Sequence, residues 1–150
     1  MIVRFTTIGL GVYMNISSRC EYACRAMVEL AMRLESKETV TSVTIAERRH
    51  IPEKYLVHIL LQLKRAGLVR SIRGAQGGYM LGRDPETILL LDIIEAIDGP
   101  VLSPLPVDDE MSNKLRPIWE NVAKNIEKHL SGITLRQIMD KAALPNMYYI

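Results

Sequence analysis

The feature that most constrains the fold is a pair of short segments with alternating side chains around a glycine-rich centre. The segments cover residues 68–73 and 79–81, and the centre reads Gly-Ala-Gln-Gly-Gly over residues 74–78. Alternation with a period of two is typical of β-strands, and glycine supplies the backbone conformations of a tight turn. The sequence therefore predicts a β-hairpin. The centre lacks the spacing of a phosphate-binding loop, so nucleotide binding is not indicated.

Two amphipathic helices are predicted directly before this hairpin. Residues 43–51 form a short helix with Ile45 and Ala46 inward and residues 47–49 facing water. Pro52 suits the first helical position of a longer helix, and Gly67 suits its end. The buried stripe of the longer helix is predicted to comprise Leu56, Ile59, Leu60 and Leu63.

A helix-turn-helix followed by a hairpin is a winged helix, in which the second helix enters the DNA major groove and the hairpin reaches toward phosphate or the minor groove. Arg73 at the hairpin tip suits such a contact. An ordinary glycine hairpin with one solvated arginine remains the alternative.

The distribution of charge agrees with a nucleic-acid partner. The formal net charge is only +2, but residues 14–83 carry a surplus of +6 and residues 84–150 a deficit of −5. A basic first half favours contact with a polyanion. Aromatic residues make up only 5% of the chain, which favours helices over a β-sandwich.

Helices are also predicted on both sides of the winged motif. Residues 18–33 form the first, capped by Ser17 or Ser18 with Glu21 as a capping-box partner, and residues 90–97 form a short one that ends at Gly99. Thr134 caps a last short helix. Between the helix of residues 90–97 and this last helix, a long helix carries an apolar stripe that we expect to mediate dimerisation, although packing on its own subunit is the alternative. The stripe comprises Leu115, Ile118, Trp119, Val122, Ile126 and Leu130.

These elements give a mainly α-helical chain: a winged helix-turn-helix DNA-binding domain with a small β-hairpin wing and a long dimerisation helix. Residues 1–13 are a leader or an N-terminal arm, 14–100 the DNA-binding domain and 101–112 a loop. Residues 113–144 hold the dimerisation helix and the C-terminal helix, and 145–150 an apolar tail.

Several other classes of protein are disfavoured. Cys20 and Cys24, four residues apart on one helix, cannot make a disulfide scaffold, which favours a reducing compartment. No apolar run reaches the length of a membrane span, and residues 1–13 read poorly as a signal peptide, so we expect a cytoplasmic protein with no membrane contact. The three histidines lie on separate predicted segments, and no nucleophile, base and orienting group share a spacing, so an enzyme is not expected.

From residue 14 onward the chain resembles the Rrf-type winged-helix regulators. The resemblance is carried by EKYL at the start of the second helix, by AGLVRSIRGAQGGYML across the hairpin and by DGP after the next helix. It implies a homodimer that binds a pseudo-palindromic double-stranded DNA operator, usually as a repressor. The predicted DNA-contacting residues are Lys54, Tyr55, His58, Arg73, Gly74, Gln76 and Arg19.

Two departures from the family pattern affect what the regulator reads and senses. Many members place a glutamate where this chain has Val57, which can contact a thymine methyl group but cannot hydrogen-bond a base. Members with an iron-sulfur cluster carry three cysteines after the DGP helix, and residues 101–115 contain none, so we expect no cofactor. The alternative is a redox or metal sensor that uses Cys20, Cys24 and Glu21, the last standing where some cluster-bearing members place a carboxylate ligand.

The C-terminal third most resembles the branch of the family that represses cysteine metabolism genes. That branch pairs with O-acetylserine (thiol)-lyase, which implies the same enzyme as a partner of this chain. The final large apolar residues are costly to leave in water and suit insertion into a pocket, although packing on the chain's own dimer is the alternative. The predicted partner-binding tail is Met147, Tyr148, Tyr149 and Ile150.

Overall fold

The computed structural model describes residues 16–103 and 106–144. The predicted arm of residues 1–13 and the predicted tail of residues 145–150 lie outside the described residues. The prediction of a mainly helical fold with a two-stranded hairpin is confirmed. The elements are α1 (Ser18–Met32), α2 (Ser42–Arg49), α3 (Glu53–Arg65), β1 (Val69–Ile72), β2 (Gly78–Leu81), α4 (Leu90–Asp98), α5 (Glu110–Ser131) and α6 (Leu135–Ala143).

The first helix begins with a side-chain cap, as expected. The hydroxyl of Ser17 accepts a hydrogen bond from the backbone N–H of Cys20 at 3.0 Å, so Ser17 and not Ser18 is the cap. This shifts Glu21 out of the capping-box position. Its carboxylate instead accepts a hydrogen bond from Arg25, one turn along the helix, at 3.0 Å.

The turn between α2 and α3 depends on one residue with an unusual backbone conformation. His50 has a φ of 53°, in the left-handed region, and it ends α2. Ile51 then enters the core, and Pro52 precedes α3 as its N-cap, so the helix starts at Glu53. The chain thus changes direction within three residues, as a helix-turn-helix requires.

The hairpin forms as predicted, and a third segment joins it. β1 and β2 pair antiparallel, with Val69 opposite Leu81 and Ile72 opposite Gly78. Val40 forms an isolated β-bridge to Tyr79, in which each backbone N–H donates to the other's carbonyl, with N···O distances of 3.0 and 2.8 Å. The sequence did not reveal this contact because Val40 follows a polar, turn-prone stretch. The bridge anchors the wing to the segment that leads into α2.

The hydrophobic core lies under the winged motif and also includes the C-terminal helix. All four residues predicted for the buried stripe of α3 are completely buried, as is Leu135 at the start of α6. The N–H of Leu135 donates to the carbonyl of Ile88 at 2.8 Å, and that of Leu90 donates to Ile133 at 2.8 Å. The chain after α5 therefore returns to the winged motif, where it bonds to the segment that leads into α4, and α6 packs against α1.

The long helix begins earlier than the predicted boundary at residue 113. Asp109 caps it by accepting a hydrogen bond from the N–H of Ser112 at 2.7 Å, so the helix starts at Glu110. The hydrogen bonds from Ser112 hold the pKa of Asp109 below its usual value, because they favour the charged carboxylate. Pro117 lies inside this helix, where its missing N–H removes one backbone hydrogen bond.

A buried carboxylate joins α1 to α2, which corrects the expectation that the arginines of α2 only face water. Glu29 is 2% exposed, and its carboxylate lies 2.6 Å from Nε of Arg49 and 3.3 Å from a terminal nitrogen of Arg48. Arg33 on α1 adds a third contact at 3.4 Å. A buried charge is tolerated only when it is paired, so the carboxylate of Glu29 can be buried because these arginines pair with it.

Replacing Glu29→Gln should lower the free energy of unfolding by about 3 kcal/mol, because a partly buried cluster of arginines loses its counter-charge. Urea denaturation measures this as a lower midpoint at an unchanged slope. The matched control is Glu21→Gln on the same helix, whose half-exposed pair with Arg25 contributes less than about 1 kcal/mol. Equal losses for the two variants would contradict the assigned role of Glu29.

Candidate nucleic-acid interface

The outer face of α3 is the candidate surface for reading DNA. Because the apolar stripe of this helix is buried, the opposite side points to solvent. Lys54, Tyr55 and His58 are all exposed on that side. Val57, 57% exposed, lies among them. The helix thus presents a cation, an aromatic ring, an imidazole and an aliphatic group, which together suit phosphate and base-edge contacts.

A shallow depression of about 330 Å³ brings three of the predicted contact residues together. Arg19 at the start of α1 lies in it beside Tyr55 and His58. The guanidinium of Arg19 donates a hydrogen bond to the side-chain oxygen of Gln62, which holds the arginine against α3. The start of α1 therefore adds a positive charge to the edge of the recognition surface.

The same depression contains residues that sequence reasoning did not assign to the interface. Leu61, Gln62 and Arg65 line it together with the predicted residues. Their positions three, four and seven residues after His58 place them on the same side of a helix. That spacing is visible in the sequence, and Arg65 supplies a second cation, besides Arg19, in this depression.

The tip of the wing exposes the other predicted contact residues. Arg73, Gly74 and Gln76 are all exposed. Gly74 has a φ of 111°, which residues with a side chain rarely adopt, so glycine is required for this turn. Thr39 donates a hydrogen bond from its hydroxyl to the carbonyl of Gln76 at 2.7 Å and thereby ties the tip to the body.

The predicted dimerisation stripe lies on α5, at a distance in sequence from the wing and α3. Leu115, Ile118, Trp119 and Val122 are between 37% and 56% exposed, and Ile126 and Leu130 are half-buried. Within the described part of the chain, this 22-residue helix buries none of its side chains. An apolar stripe left in solvent on one helix is typical of a protein-protein contact.

The two cysteines lie on one face of α1. Cys20 is buried and Cys24 half-buried. A hydrogen bond between the thiols, together with burial, raises the pKa of Cys24, so this thiol stays protonated at neutral pH. The same hydrogen bond lowers the pKa of Cys20, but its sulfur is shielded from solvent. Glu21, the third residue of the predicted redox or metal site, is paired with Arg25.

Within the described residues, the structure shows neither a cluster of metal ligands nor a helix that could span a membrane. Among residues 16–103 and 106–144, no three His, Cys, Asp or Glu side chains are arranged to hold a metal ion. Over the same ranges, no helix combines the length and the apolar character needed to cross a bilayer.

A helix-turn-helix with a polar, basic outer face and an arginine-tipped hairpin behind it defines the winged helix-turn-helix class of DNA-binding regulators. Comparison with known proteins agrees with this assignment to the winged helix-turn-helix class. The family described as "Rrf2: Iron-dependent Transcriptional regulator" matches residues 16–141. The chain belongs to this Rrf2 family of transcriptional regulators.

Individual relatives give more detail. The transcriptional regulator CymR of Bacillus subtilis is 36% identical over 126 residues, covering 83% of this chain and 89% of CymR. Its solved structure, described as that of the global cysteine regulator of B. subtilis, has a TM-score of 0.71 over 85% of this chain and 98% of that one, at 33% identity. The structure of T. potens IscR has a TM-score of 0.68 at 36% identity, and the match covers 91% of this chain and 97% of that one. The family and CymR are both named as transcriptional regulators, which agrees with the prediction that this chain is not an enzyme.

Replacing Arg73→Ala should weaken DNA binding. The loss is similar on all sequences if the arginine contacts phosphate, which carries no sequence information, and is largest at narrow-groove steps if it enters the minor groove. The slope of log affinity against log salt concentration should fall by about 1, as expected for one lost ionic contact. Fluorescence anisotropy across a salt series measures both quantities.

The matched control is Arg136→Ala, which removes another exposed arginine, this one on α6, where it pairs with Asp140 at 3.5 Å. It should leave the slope unchanged. If both variants changed the slope alike, net charge and not the wing would account for the effect.

Proposed function

We propose that this protein is a homodimeric repressor of cysteine or sulfur metabolism genes that binds a pseudo-palindromic operator without an iron-sulfur cluster. In this proposal Lys54, Tyr55 and His58 contact the major groove, and Arg19 contacts the flanking backbone. Residues 73–76 of the wing contact phosphate or the minor groove. His58 helps to choose the base, and Val57 favours a thymine through its methyl group.

The observation that carries the proposal is the coexistence of two unlike surfaces. α3 and the wing present exposed polar and basic groups, whereas α5 presents exposed apolar ones. A dimer formed through α5 would supply two recognition helices related by a two-fold axis, which is what a palindromic operator requires. The acidic balance of residues 84–150 supports a dimerisation part that stays off the DNA.

Cysteine metabolism is proposed from the relatives. One of them, CymR, is described as the global cysteine regulator of its organism, and it covers most of this chain in both sequence and structure. IscR relatives match with similar scores, so the overall likeness alone does not separate the two branches. The ligand chemistry of the chain is the feature that favours the branch without a cluster.

The donor set does not fit the iron that the family description implies. Iron-sulfur clusters are held mainly by cysteine thiolates, and this chain has two cysteines, both on α1. One thiol is buried, the other has a raised pKa, and Glu21 is held by Arg25. Residues 1–15, 104–105 and 145–150 contain no His, Cys, Asp or Glu, so the segments outside the described residues add no such ligand to one chain.

Replacing Ile118→Glu should shift the protein from dimer to monomer, because a charge would be buried in an apolar contact. Operator affinity should fall at least about tenfold, since each monomer would bind one half-site alone. Light scattering after size exclusion measures the mass, and anisotropy measures the affinity.

The control is Lys124→Glu, on the opposite side of α5. This variant changes the net charge more than Ile118→Glu does but leaves the apolar stripe intact. It should remain dimeric. A monomeric wild-type protein, or an Ile118→Glu variant that is still a dimer, would overturn the proposed dimerisation helix.

Besides DNA and a second copy of the chain, the proposed partner is O-acetylserine (thiol)-lyase, which would be held through Met147, Tyr148, Tyr149 and Ile150. These residues lie outside the described residues, and the proposal rests on their apolar character and on the likeness to CymR. Deleting the four residues should abolish capture of the purified enzyme by immobilised protein while leaving operator affinity unchanged. Capture that survives the deletion would exclude the tail as the binding element.

A further inference from the structure

Four side chains form a row across the contact of α1 with α3, in which two stacked aromatic rings lie between two positive charges. The rings of Tyr22 and Tyr55 stack with centroids 6.2 Å apart and planes inclined by 24°. Cζ of Arg25 lies 5.9 Å from the centroid of Tyr22, and Nζ of Lys54 lies 4.9 Å from that of Tyr55. The order in space is therefore Arg25, Tyr22, Tyr55 and Lys54.

The α1 end of this row is firmly held. Tyr22 is half-buried and packs against the hydrophobic core. Arg25 accompanies it, and its guanidinium donates to Glu21 at 3.0 Å and to the carbonyl of Arg49, at the end of α2, at 3.3 Å. Side chains with this many partners have little rotational freedom.

The α3 end is open to solvent. Tyr55 is 42% exposed, and Lys54 is exposed beside it in the first turns of the recognition helix. Long exposed side chains sample many rotamers, and ordering them on a DNA surface costs entropy. A ring stacked behind Tyr55 reduces that cost before the DNA arrives.

We propose that Tyr22 is a positioning residue for DNA recognition, which fixes the direction of the Tyr55 ring and, through that ring, the direction of the Lys54 ammonium group. This inference rests on the proposed function, because it takes Tyr55 and Lys54 as DNA contacts. Tyr22 itself lies on α1 and acts through its stacked partner. Its contribution should therefore exist only when Tyr55 is present.

The test is a double-mutant cycle on operator affinity, measured together with urea denaturation. Tyr22→Leu should weaken binding about fivefold, the fold-change expected for one aromatic pair, and Tyr22→Phe should bind within about twofold of wild type because it keeps the ring. Tyr55→Ala should weaken binding more. The double variant should bind no more weakly than Tyr55→Ala alone.

Loss of fold is separated from loss of positioning by two further variants. Met139→Ala truncates a half-buried core contact on α6 and should lower the urea midpoint while leaving operator affinity unchanged. Tyr22→Met keeps an apolar side chain of useful size, so it supplies the cycle if Tyr22→Leu does not fold.

The outcomes are distinct. If Tyr55→Ala binds the operator as wild type does, the proposed interface is wrong and the positioning role falls with it. If Tyr55→Ala weakens binding but Tyr22→Leu does not, or if the two losses add in the double variant, the interface stands and the positioning role is overturned.

Discussion

The buried carboxylate of Glu29 is the constraint on which the DNA-binding half of the molecule depends. It is buried on α1, whose other buried residues are apolar or small, and Arg48 and Arg49 of α2 reach it from the next helix. An uncompensated charge at that depth would cost several kcal/mol, so α2 can pack only where its arginines meet the carboxylate. Since α3 follows α2 after a three-residue turn, the position of α2 constrains where the recognition helix can lie.

The wing depends on the body in a similar way. A two-stranded hairpin alone is marginally stable in water, and its tip has to be rigid to contact DNA at a defined place. The bridge from Val40 to Tyr79 and the hydrogen bond from Thr39 to Gln76 hold the hairpin along one side. Both contacts come from the segment just before α2, so the wing and the helix-turn-helix share a support. The α1 residues beneath the recognition helix, Arg19 and Tyr22, add to it.

Local patterns explain why so much of the fold was predictable. The hairpin, the buried stripe of α3 and the capping role of Thr134 follow from spacing and turn chemistry within short stretches, and each is present in the structure. The misses are of another kind. Glu29 reads as one polar residue of an amphipathic helix, and Val40 as one apolar residue after a polar stretch. Their roles depend on Arg49 and Tyr79, whose places relative to them no local pattern encodes.

The sequence by itself determined the class of the protein, because helix periodicity, a proline, a glycine-rich tip and an uneven charge distribution are all read along the chain. The number and spacing of the cysteines, which limit the thiolate ligands that one chain can offer, are also read along the chain. Only the tertiary structure decided that Arg19 joins Tyr55 and His58 in one depression and that Tyr22 stands behind Tyr55. The physical reason is that these contacts join residues more than thirty positions apart in the sequence, and their geometry arises only when the core closes and brings α1 against α3.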